Sequence, residues 1–142
     1  MAGRFGFSWL DAWSGVLLGT LDIMRGRLGQ ARELLDEALD LSLAIYVTGN
    51  VPLCLIAYAR LALVAGDPGR AALLAGAVEG LRRRAGLGAW PMLRQPETAL
   101  LDQIRQALGL DRFTPIYEAG TRLSQREAVA AARERDAGTQ RS

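Results

Sequence analysis

The chain has 142 residues, half of them apolar, a length that suits one domain and can bury roughly two-thirds of the unfolded chain's surface. Its net charge is +2 and all seventeen basic residues are arginine, a balance too small to imply nucleic-acid steering or attachment to an anionic membrane. The lack of His and Lys excludes imidazole catalysis, a Schiff base and a complete Walker A loop, and the one cysteine, Cys54, allows neither an internal disulfide nor a Cys-based zinc site.

The apolar residues are mainly Leu and Ala, the strongest helix formers of their kind, so the expected fold class is all-α. A first helix is expected from Trp9 to Met24, ended by Gly26. From Leu28 to Val47, Ala31, Leu34, Leu35, Ala38, Leu41, Ser42 and Ile45 form one stripe, with Arg32, Glu33, Asp36, Glu37 and Asp40 opposite. Leu41 to Ala59 carries no charge and nears a membrane-spanning length. Gly49-Asn50-Val51-Pro52 interrupts it with a helix stop and a helix start. A soluble, cytoplasmic chain with two buried helices is therefore expected, and the second of these runs from Pro52 to Val64. Gly66-Asp67-Pro68 is a compact turn with Asp67 as cap, and the next helix, Gly69 to Arg84, ends at Gly86. Arg82, Arg83 and Arg84 crowd its last turn, where positive charge complements the helix dipole; they read as a solvated helix end.

The two helix pairs correspond at an offset of 40 residues. Gly26-Arg27-Leu28-Gly29-Gln30-Ala31 matches Gly66-Asp67-Pro68-Gly69-Arg70-Ala71, Leu35 and Ala38 match Ala75 and Val78, and Leu18 and Gly19 match Tyr58 and Ala59. Small residues at fixed positions (Gly19, Ala31, Ala38, Ala59, Ala71) predict close helix approaches, and such a period is the signature of a helical solenoid. The pattern resembles tetratricopeptide repeats, although its period exceeds 34 and the first helices carry Asp22 and Ala62 where that family has Tyr. It is closer to the longer, degenerate repeats in the C-terminal sensor regions of bacterial LuxR-family and MalT-like ATPase transcriptional regulators and their adenylate-cyclase-linked relatives. Residues 66–87 resemble the last repeat of such proteins, and Leu123-Ser124-Gln125-Arg126-Glu127-Ala128 resembles their closing helix.

The expected division is two tetratricopeptide-like helix pairs over 1–87, a linker over 88–96, C-terminal capping helices over 97–136 and a disordered tail over 137–142. The capping region contains a helix from Glu97 to Leu108, another from Asp111 to Ala119, and a short one for which Ser124 and Glu127 have capping-box spacing. The resemblance implies a non-enzymatic binding domain that senses a ligand or a partner protein and contacts other domains of one regulator, with no cofactor and no direct nucleic-acid contact. A stand-alone adaptor for a peptide or helix is the second reading.

Candidate chemistry is sparse. The carboxylates Glu33, Asp36, Glu37 and Asp40 read as a solvated helix face, and Cys54 as a buried, inert thiol. A carboxylate enzyme would have to use Tyr46, Tyr58 or Tyr117 as well. Phe5, Phe7, Trp9 and Trp13 are the candidate partner surface: four large apolar side chains in nine residues exceed what a terminal repeat needs. They are expected to pack on a preceding repeat or to support a homodimer through the N-terminal helix.

Overall fold

The main backbone hydrogen bonds of the turn at residues 24–31 recur at residues 64–71. Arg27 N donates to the Asp22 carbonyl (2.7 Å) and Asp67 N to the Ala62 carbonyl (2.8 Å), while Gly26 N and Gly66 N donate to the Ile23 and Leu63 carbonyls. Gly26 and Gly66 both lie at positive φ, 78° and 93°, where a β-carbon would be strained. Two helix ends 40 residues apart are thus closed by the same hydrogen-bond pattern.

The regular structure around these turns, among the described residues, is entirely helical. The computed structural model describes residues 8–44, 50–86 and 91–134, and they form seven helices. They are α1 (Ser8–Met24), α2 (Leu28–Ala44), α3 (Asn50–Val64), α4 (Pro68–Ala85), α5 (Pro91–Leu108), α6 (Leu110–Thr121) and α7 (Gln125–Arg133). Helix α1 packs along α2, α3 packs along α4, and both α1 and α2 also touch α3. Helix α6 lies against α4, α5 touches α3, α4 and α6, and α7 rests on α3 and α4.

The core runs through all seven helices. Val16 and Ile23 of α1, Leu35 and Leu39 of α2, Leu55 and Tyr58 of α3, and Leu74 and Val78 of α4 are buried in it. Leu100 and Ile104 of α5, Phe113 of α6, and Ala128 and Ala132 of α7 complete it. The residues expected to be small for close approach are buried: Gly19, Ala31, Ala38, Ala59 and Ala71. A β-carbon on Gly19 would lie 3.0 Å from Leu35 Cδ2, and one on Gly15 would lie 3.0 Å from Ala38 Cβ, so α1 and α2 meet without room for another methyl.

The tightest crossing is between α4 and α6. Gly76 and Gly80, one turn apart on α4, face the backbone of α6 so closely that a β-carbon would strike the Tyr117 and Thr121 carbonyl oxygens. Gly120 returns the contact against the Leu73 carbonyl. Composition alone gave no hint that these glycines serve interhelical approach.

The caps follow the sequence. The Asp67 carboxylate accepts from Arg70 N at 3.0 Å, and Pro68 occupies the first turn. Ser124 and Glu127 form a complete capping box, 3.1 and 2.9 Å. One boundary is corrected. Residues 91–96, assigned to the linker, are instead the start of α5. Pro91 suits the first helical position, where its missing N–H leaves no bond unmade, and Pro96 is tolerated on an exposed turn. The Gly49 stop and the 137–142 tail lie outside the described residues.

Candidate functional site

Of the four aromatic residues expected to make a partner surface, Phe5 and Phe7 lie outside the described residues. Trp9 and Trp13 fall in the first turns of α1. What the structure adds is the remainder of that helix: Leu17, Leu18 and Leu21 are 44%, 52% and 45% exposed, and Met24 is exposed as well. Ser14, also exposed, lies with Leu17, Leu18 and Leu21 at the i, i+3, i+4, i+7 spacing of one helix face. These leucines carry no mark in the sequence, because an amphipathic pattern does not say which apolar stripe the fold leaves uncovered.

A second constellation joins α2, α3 and α7. The Tyr58 hydroxyl donates to the Asp36 carboxylate, and the Arg133 guanidinium donates to the Asp40 carboxylate and, at 3.4 Å, to the Asp36 carbonyl. Beneath them Ser42 is fully buried; its hydroxyl donates to the Ala38 carbonyl at 2.9 Å and lies 3.8 Å from Cys54 Sγ. Burial pushes the Cys54 thiol up to about 11, against smaller opposing effects from the Ser42 hydroxyl and the Arg133 charge. Burial first, then the Asp36 carboxylate, raises the Tyr58 phenol far above its ordinary value. For Arg133, desolvation opposes the charge, but the Asp40 carboxylate outweighs it and the guanidinium is held more firmly protonated. The expected solvated carboxylate face holds for Glu33, Glu37 and Asp40, which are exposed, Asp40 pairing with Arg133 at the surface; it is corrected for Asp36, which is half-buried where Tyr58 of α3 meets it.

The Arg82–Arg84 run is a solvated helix end at Arg83 and Arg84, which are exposed, and is corrected at Arg82. Arg82 makes a two-pronged pair with Glu97 of α5, at 2.6 and 3.0 Å, with both side chains under 15% exposed. Arg84 donates to the Thr121 and Leu123 carbonyls, placing a cation on the C-terminal end of α6. Arg83 pairs with Glu79 one turn earlier on α4, at 3.1 Å. Arg60 of α3 has its pKa lowered by burial, partly offset by Glu97, and its Nε has no acceptor among the described residues. Consecutive arginines fan around a helix, and here two of the three reach neighbouring helices.

Beside the Arg82–Glu97 pair is a cleft of about 50 Å3, lined by Ile56, Glu79, Arg82, Glu97, Leu101 and Tyr117 among others. At 10–15 Å3 per water it has room for a few solvent molecules. Tyr117 stacks on Phe113 (centroids 5.2 Å apart), and burial, then Glu79, raises its pKa. Tyr58 and Cys54 are thus held protonated at neutral pH, which suits them to hydrogen bonding and packing and not to acting as base or nucleophile. Tyr46 lies outside the described residues.

Among the described residues, no group of three or more His, Cys, Asp or Glu is placed to hold a metal ion. No described helix is long and apolar enough to cross a membrane. No family model, curated protein or solved structure matches the chain.

Proposed function

We propose that this chain is a non-enzymatic helical-repeat interaction domain. In this reading its two helix pairs stack in the manner of tetratricopeptide repeats, and α5 to α7 cap the stack. The observation that carries it is the shared turn at residues 24–31 and 64–71, together with a neighbour order in which α1 meets α2 and α3, and α3 meets α4. The reading extends to a cytoplasmic role as the C-terminal sensor or interaction region of a multidomain bacterial transcriptional regulator. The support for that extension is the resemblance of residues 66–87 and 123–128, and it makes other domains of the same regulator, or a partner protein, the natural contacts.

A stand-alone adaptor is the second reading, favoured by the uncovered leucine face of α1. Thermal melts against a panel of small metabolites test the sensor role, since a ligand at 100 times its Kd adds about 2.7 kcal/mol of stability. Hydrolysis of generic ester or phosphate substrates that is lost on Asp40→Asn would overturn the non-enzymatic reading.

A further inference from the structure

The C-terminal helices are not held alike. Helix α6 is locked on α4 by backbone contacts at Gly76, Gly80 and Gly120, and it buries Phe113. Helix α5 buries Leu100, Ile104 and Leu108. Helix α7 has nine residues, and its buried side chains are Ala128 and Ala132, one turn apart, with Val129 and Ala131 partly buried beside them. Two methyl groups remove little apolar surface from water, and a helix this short is marginal without tertiary support. The Ser124–Glu127 capping box steadies the helix itself but ties it to no other element.

What fastens α7 to its neighbours is a set of arginines at its two ends. At the entry, Arg84 of α4 donates to the Thr121 and Leu123 carbonyls at 2.8 and 2.5 Å, so the residues that join α6 to α7, Arg122 to Ser124, are pinned from one side. At the exit, Arg70 of α4 donates to the Glu134 carbonyl, and Arg133 donates to the Asp40 carboxylate and the Asp36 carbonyl of α2. That exit lies in solvent: the Arg133 and Asp40 side chains are 36% and 68% exposed. Exposed ion pairs are weak and are screened by salt. The body of α7 rests on the second helix pair, whereas Arg133 reaches across to the first. Helix α7 thus has the parts of a lid: a pinned joint next to a close-packed helix, a lightly packed body, and an electrostatic catch at its far end.

We propose that α7 is a lid, hinged at residues 122–124 and latched by Arg133 on Asp40, which opens as a unit while α2 to α6 stay folded. Opening bares the strip of α3 and α4 that Ala128 and Ala132 cover, and charge screening at the latch controls it. Amide hydrogen exchange on the full chain tests this, read at residues 129–133 of α7 and across α4 and α6. At low salt, Arg133→Gln should speed exchange in α7 by about three- to fivefold and leave α4 and α6 unchanged. Asp40→Asn should act in the same direction. Raising salt to about 0.5 M should speed α7 exchange in the parent chain and do so less in Arg133→Gln, where the latch is already undone. Arg83→Gln removes the same charge from a pair internal to α4 and should leave α7 as it was. Exchange in α7 that keeps step with α4 under all conditions, equal α7 rates in the parent chain and Arg133→Gln, or an undiminished salt response in Arg133→Gln overturns the proposal.

Discussion

Replacing Gly76 by Ala adds one methyl group at the α4–α6 crossing. In an ordinary helix this substitution stabilises by about 1 kcal/mol, because glycine loses more backbone freedom on folding than alanine. Here the new β-carbon would overlap the Tyr117 carbonyl and come within 3.2 Å of Gly120 Cα, and both obstacles are backbone, which cannot rotate aside. Helix α6 must move outward, loosening contacts that bury Phe113 and the face carrying Gly120. Overpacking of this kind costs about 1–3 kcal/mol, and two backbones in contact put it at the upper end, for a net loss of about 1–2 kcal/mol. Gly29 supplies the control: it lies in the first turn of α2 with nothing within 4 Å of an added β-carbon, so Gly29→Ala should be neutral or gain up to about 0.5 kcal/mol. Thermal melts should separate the two variants by on the order of 10 °C, with Gly80→Ala beside Gly76→Ala. Equal melting temperatures for Gly76→Ala and Gly29→Ala would refute the close crossing.

Other consequences follow from the polar contacts. Arg82→Ala leaves Glu97 unpaired at a site under 15% exposed and should cost about 2–4 kcal/mol in urea unfolding, with most of that loss shared with Glu97→Ala in a double-mutant cycle. Ser124→Ala removes half of the capping box and should cost about 1 kcal/mol, with faster amide exchange confined to α7. Because Cys54 has a folded pKa of about 11 against an ordinary 9.0, its contribution to stability is fully present below pH 9 and is lost as pH rises toward 11. That loss amounts to about 2–3 kcal/mol, Tyr58 adds in the same direction, and Cys54→Ala should flatten the alkaline limb of a stability-versus-pH curve.

Much of the fold was legible locally. Stops at Gly26, Gly66 and Gly86, the Asp67 cap and the Ser124–Glu127 box were all readable because each depends on residues within one turn. What was not legible depends on partners distant in sequence. Gly76, Gly80 and Gly120 look like weak helix positions until α6 is placed on α4. Asp36 looks solvated until Tyr58 arrives from 22 residues away, and nothing local announces that the exposed Asp40 pairs with Arg133, 93 residues on. Arg82 looks like a dipole complement until α5 supplies Glu97. Two prolines within six residues suggest a linker before α5, whereas Pro91 begins the helix. The uncovered face of α1 could have been suspected from the 40-residue alignment, in which Leu17 and Leu18 stand opposite Ala57 and Tyr58. Only the burial values distinguish the covered face from the uncovered one.

The central claim is that this chain acts by binding and performs no chemistry of its own, and thermal melting against a panel of small metabolites and apolar helical peptides tests it most directly. The account expects at least one of them to raise the melting temperature in a saturable, concentration-dependent way. A compound that is instead converted to product, in a reaction lost on Asp40→Asn, would contradict it.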